Sequence, residues 1–192
     1  MSILAFGLII FLGTHSLRLF ANNWRSQQIA RLGEKKWKGL HSIVSLVGLG
    51  LIVWGYGQGR ALPAELWIPP NGMRHLAALL TAPAFVLITA AYVPGNRIKA
   101  RLGHPMVAGV ALWALAHLLS NGRLADALLF GAFLIWASVD WAAARRRDRA
   151  AGIRYPRGTM ARDALTVLVG LLAWLAFIGF VHRWITGVSP FG

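Results

Sequence analysis

The chain has 192 residues, 57% of them hydrophobic, a mean hydropathy of +0.56, and 20 Lys and Arg against 6 Asp and Glu. A soluble globular domain is closer to half apolar and holds more acid, and a nucleic-acid binder would not interrupt its basic charge with long uncharged apolar runs, so anionic lipid headgroups are the expected counter-charge. The absence of cysteine excludes disulfides, cysteine-ligated iron–sulfur clusters and thioether-attached haem.

About 20 apolar residues span a bilayer, and six segments approach that length: Ser2–Phe20, Trp37–Tyr56, His75–Val93, Pro105–Leu119, Leu124–Ala144 and Ala164–Trp184. The first has no basic stretch before it and no small-residue cleavage site, so it is expected to be a retained span, not a signal peptide. The breaks carry stop signals at Pro69-Pro70-Asn71-Gly72, at Pro94-Gly95-Asn96 and at Arg145-Arg146-Arg147-Asp148-Arg149. The fourth segment is short and turns into the fifth at Asn121-Gly122, which predicts a tight helical hairpin. The expectation is a single all-α domain over residues 1–192, a polytopic membrane bundle of six helices.

Lys and Arg sort between the two faces. The first, third and fifth connections together hold 16 of them, and the opposite side holds Arg60, Arg74, Arg123 and Arg183. The positive-inside rule then places the odd connections in the cytoplasm and both termini outside it.

Six histidines punctuate these segments. His15, His41 and His104 fall toward the cytoplasmic face, and His75, His117 and His182 toward the other. His104 and His117, thirteen residues apart, are separated by about 20 Å along a helix and cannot share a metal ion. His104 before Pro105 suits a helix cap, and His75 and His182, each beside an arginine, suit the interface. His15 and His117 have apolar residues on both sides, and an ionisable group in an apolar span is by default a functional-site hypothesis.

Helical spacing groups Gly7, Phe11, Thr14, His15 and Arg18 on one face, His41, Ser45, Gly48, Ile52 and Gly55 on a second, and Pro105, Gly109, Trp113, His117 and Asn121 on a third. Three such faces turned inward would leave a slot walled by imidazoles, as bis-histidine haem requires. Ordinary small-residue packing accounts for the glycines but not for the histidines. Arg18 would neutralise a haem propionate or snorkel to the headgroups. Asp126 and Asp140 would either orient a ligating histidine or pair with nearby arginines at the interface, the second being favoured. Gly55-Tyr56-Gly57-Gln58-Gly59 lacks phosphate-loop spacing, and no zinc-ligand or hydrolase pattern is present.

His75-Leu76, the run Ala91-Tyr92-Val93-Pro94-Gly95-Asn96-Arg97-Ile98, His104-Pro105 and the run Leu112 to Gly122 closely resemble the NnrU family, as does the second-segment stretch Leu46 to Tyr56-Gly57. The resemblance covers essentially the whole chain. It implies a multi-pass protein of the bacterial inner membrane tied to nitric oxide and nitrite metabolism in denitrification. It also implies kinship with plastid 15-cis-zeta-carotene isomerase, a haem b enzyme whose axial histidines correspond to His15 and His117. Ala114 stands where that isomerase has a cysteine, which removes a thiolate ligand switch, and Arg123 stands where many relatives are acidic.

The expected cofactor is therefore haem b, with His15 and His117 as metal ligands, His41 as the reserve ligand and Arg18 beside a propionate. The depth estimate sets His15 and His117 toward opposite faces, so a shifted fourth helix, or His41 as partner of either, stands beside the first choice. The expected partners are the bilayer, haem, and nitric oxide or an apolar polyene, with a homo-oligomer also allowed and nucleic acid not. Two rival roles are a haem-dependent cis–trans isomerase of a carotenoid-like polyene and a non-catalytic assembly or transport partner.

Overall fold

The computed structural model describes residues 1–190. It is helical throughout: α1 Ser2–His15, α2 Leu17–Phe20, α3 Asn22–Leu32, α4 Glu34–Arg60, α5 Met73–Tyr92, α6 Arg97–Leu102, α7 Pro105–Ser120, α8 Leu124–Ala150, α9 Met160–Ala176 and α10 His182–Thr186, with a π-helical turn Phe177–Val181 between the last two. No strand occurs among the described residues.

Four helical stretches are long and apolar enough to cross a membrane: α4, α5, α8 and the run Met160–Thr186. The other two expected segments are shorter helices. α1 has 14 residues and α7 has 16, so they rise about 21 and 24 Å against a hydrocarbon core of about 30 Å. The expected first segment breaks at Ser16, whose N–H reaches both Leu12 and Gly13 carbonyls before α2 begins. The fourth was short in sequence and remains so.

The chain forms two compact units. The first comprises Met1–Trp67 and Gly122–Ala132. Its core is the crossing of α1 on α4. Gly48, Ile52, Gly55 and Gly59 recur at helical spacing and are buried, opposite Leu4, Gly7 and Leu8 of α1. A methyl group on Gly7 would lie 2.7 Å from the Ile52 nitrogen, and one on Gly48 would lie 2.8 Å from the Phe11 nitrogen. Gly55 abuts the Leu4 backbone in the same way. Small residues here buy close backbone approach, the device that packs helices where lipid offers no hydrophobic drive. The loop after α4 is pinned to the start of α8: Leu66 and Trp67 N–H donate to the Gly122 carbonyl at 2.8 and 3.2 Å, and Leu124 N–H to the Ala64 carbonyl at 2.8 Å.

The second unit comprises Ile68–Asn121 and the chain from Phe133 onward. α5 is its central helix, with α7 and α9 against it. A methyl on Gly109 would sit 2.8 Å from the Ala84 carbonyl oxygen, and one on Gly170 2.7 Å from Val86 Cα. The Trp174 indole donates to Thr81 Oγ at 3.1 Å, tying α9 to α5.

The turn Pro94-Gly95-Asn96-Arg97 has a structural purpose. Asn96 is 3% exposed and caps α6 by accepting from Lys99 N–H at 2.7 Å, while its amide donates to the Ala90 carbonyl at 2.8 Å. Asp163 of α9 accepts from Arg97 N–H at 2.6 Å and from its Nε at 2.7 Å. Thr159, which caps α9, donates its N–H to the Gly95 carbonyl at 3.0 Å.

Candidate functional site

His15 ends α1 and is half-buried. Its Nδ1 lies 2.7 Å from the Phe11 carbonyl oxygen. A carbonyl only accepts, so Nδ1 carries a hydrogen, and in the neutral ring the lone pair is then on Nε2. The Phe11 ring stacks on the imidazole at 4.3 Å. His117, also half-buried, repeats the arrangement on α7: its Nδ1 donates to the Trp113 carbonyl at 2.9 Å, and the Trp113 ring lies 5.2 Å away. In both helices the residue one turn back supplies a carbonyl to Nδ1 and an aromatic neighbour, stacked on His15 and tilted by 50° to His117. A backbone carbonyl on Nδ1 is the usual outer partner of a histidine that binds metal through Nε2.

His41 of α4 is placed differently. Its Nδ1 is 3.5 Å from Ser45 Oγ, and its ring also bonds to the Thr14 backbone of α1. The His15 and His41 rings meet edge to face with centroids 5.2 Å apart. His41 therefore ties α4 to α1 beside His15. Arg18 is exposed on α2, beyond the break at Ser16.

The faces grouped by spacing are filled differently from the expected slot. Gly7, Gly48 and Gly55 meet backbone of the opposite helix, and Gly109 meets α5. These glycines serve helix packing, not the passage of a macrocycle.

The carboxylates also have ordinary partners. Asp126 is 3% exposed; it accepts from Tyr56 OH at 2.6 Å and from Arg123 N–H at 3.1 Å, so it caps α8 and bonds α4. Asp140 pairs with Arg147 at 3.7 Å, as the interface alternative expected. His182 Nδ1 donates to the Val188 carbonyl at 2.9 Å and holds the turn after α10, and His75 is exposed.

His104 occupies the N-cap position of α7, but its side chain does not cap. Nε2 instead lies 2.8 Å from Asp148 Oδ2, and Tyr155 OH donates to the same oxygen at 2.8 Å. Sequence reasoning missed Asp148 and Tyr155. The only available signal was an acid inside the Arg145–Arg149 run.

Among the described residues no group of three or more His, Cys, Asp or Glu is placed to hold a metal ion.

A family model described as NnrU protein matches residues 3–190. No curated protein and no solved structure matches the chain.

Proposed function

The chain belongs to the NnrU protein family, and on that premise we propose that it is a haem b-binding membrane protein serving nitric oxide or nitrite metabolism, with His15 and His117 as ligands to the haem iron. The observation that carries this reading is the matched pair of Nδ1 bonds to Phe11 and Trp113. Each fixes the tautomer that offers Nε2 to a metal, and each makes that nitrogen a better donor. His41, whose ring is engaged at Thr14 and Ser45, is the second choice. Arg18 would offset the charge of a propionate.

In the proposed topology, six helices cross the bacterial inner membrane with both termini on the non-cytoplasmic side, from the distribution of Lys and Arg. The bound haem would supply a one-electron couple. The chain's own part is to hold imidazole planes and tautomers fixed and to keep water from them with the Phe11 and Trp113 rings.

The test is the absorption spectrum of the detergent-purified protein, oxidised and then dithionite-reduced, with a pyridine extract to identify the haem. A Soret band with sharp reduced visible bands is expected, lost in both His15→Ala and His117→Ala. Loss in His117→Ala alone would transfer the other ligand to His41. A protein that stays colourless after reconstitution with haem would overturn the proposal.

A further inference from the structure

Where the apolar run of α8 ends at Ala144, the next two turns and the loop beyond them border an open cleft of about 420 Å³. Ala100 of α6, Arg145, Asp148, Arg149, Arg154 and Tyr155 line it. Three arginines and one carboxylate thus border the same cleft. That carboxylate is already engaged: Asp148 Oδ2 receives both His104 Nε2 and Tyr155 OH.

Helical spacing puts Arg145 and Arg149 on one side of α8, while Arg147 pairs with Asp140. Arg145 is held by its surroundings. Its Nη1 donates to the Arg101 and Leu102 carbonyls, both at 3.2 Å, and its guanidinium lies 5.8 Å above the Trp141 ring. A guanidinium carries five N–H donors in a fixed fork, so an anchored arginine presents a preset donor array to an anion. Arginine forks match phosphate oxygens two at a time.

The position of the cleft points to the source of the phosphate. It opens directly beyond an apolar helix run, at the level where headgroups would lie, and basic pockets there take anionic lipid headgroups. It is larger than a bare phosphate needs. Ile153, 54% exposed and also lining it, offers an apolar contact beside the charges.

We propose that this cleft binds the phosphate of an anionic ligand, an anionic phospholipid headgroup in the first place. It needs no haem and stands or falls apart from the haem reading.

The experiment is native mass spectrometry of the full chain in detergent, titrated with phosphatidylglycerol and, separately, phosphatidylcholine. Wild type should retain phosphatidylglycerol in preference to phosphatidylcholine. The double variant Arg149→Gln, Arg154→Gln should weaken that binding about thirtyfold, from the usual worth of one basic side chain near a lipid surface. A control that removes three cations elsewhere, Arg31→Gln with Lys35→Gln and Lys36→Gln, should leave it unchanged. The variant Asp148→Asn removes the one opposing charge and should tighten binding several-fold. Added inorganic phosphate distinguishes the sources: no displacement of lipid identifies a headgroup, and displacement at millimolar concentration identifies a soluble phosphate at the same site. Unaltered affinity in the double variant, or equal loss in the control, overturns the proposal. If the double variant does not fold, absence of tightening in Asp148→Asn overturns it instead.

Discussion

The imidazoles of His15 and His41 touch edge to face, 5.2 Å between centroids. Two rings in contact leave no room for a macrocycle between them, so these two are not opposed ligands in this arrangement. His41 is then a packing group at the α1–α4 crossing. His41→Ala should keep the Soret band that His15→Ala loses, and should lower the thermal midpoint in detergent. Paired spectra and melting curves of the two variants check this. Loss of the band in His41→Ala with the protein still folded would make His41 a ligand.

The α1–α4 crossing also predicts a sharp difference between neighbouring glycines. Gly55 abuts the Leu4 backbone, whereas a methyl group on Gly57 would meet nothing within 4 Å. Gly55→Val must push two backbones apart, and overpacking of this kind costs about 1–3 kcal/mol or more. Gly57→Ala should be neutral to slightly stabilising, because alanine is the better helix former. Thermal unfolding of both variants in one detergent measures the difference.

Tyr56 and Asp126 are seventy residues apart in sequence and share a 2.6 Å hydrogen bond. Asp126 is almost fully buried. Asp126→Ala strands the Tyr56 hydroxyl and the Arg123 N–H together, a loss of about 1–3 kcal/mol. Tyr56→Phe leaves the Arg123 bond to Asp126 and should cost about half as much. The double variant should lose less than the two singles combined, and a mutant cycle on unfolding midpoints reads the coupling.

Asp163 makes two bonds to Arg97, one to the side chain and one to the backbone N–H. Removing the arginine side chain spares the backbone bond. Asp163→Ala should therefore lower the thermal midpoint more than Arg97→Ala does. Equal losses would mean that only the ion pair matters.

Much of the helical frame was legible because apolar run length is a direct consequence of what surrounds a span. Trp37–Tyr56 lies inside α4, and Leu124–Ala144 inside α8. The break after His15 was not legible, since Ser16-Leu17 carries no proline or glycine to announce it. The glycines were legible as a face but not in purpose. Gly48 and Gly55 read alike whether a ring or a backbone lies opposite, and only the approach of Leu4 and Phe11 decides. The paired tautomer anchors of His15 and His117 follow from the helix itself, because each carbonyl belongs to the residue four back. Asp148 and Tyr155 escaped notice because their partner, His104, is 44 and 51 residues distant, and the irregular loop at 151–158 has no period to read.

The first unit is discontinuous: Met1–Trp67 needs Gly122–Ala132, which supplies the Gly122 carbonyl for Leu66 and Trp67 and the carboxylate for Tyr56. At ordinary rates of about 5–20 residues per second, the ribosome spends several seconds on the intervening stretch. Throughout that interval the earliest helices lack their closing partners, so the unit matures only as α8 emerges. A fragment ending at Trp67 would omit a piece of its own unit, whereas one ending at Ala132 contains every residue of it.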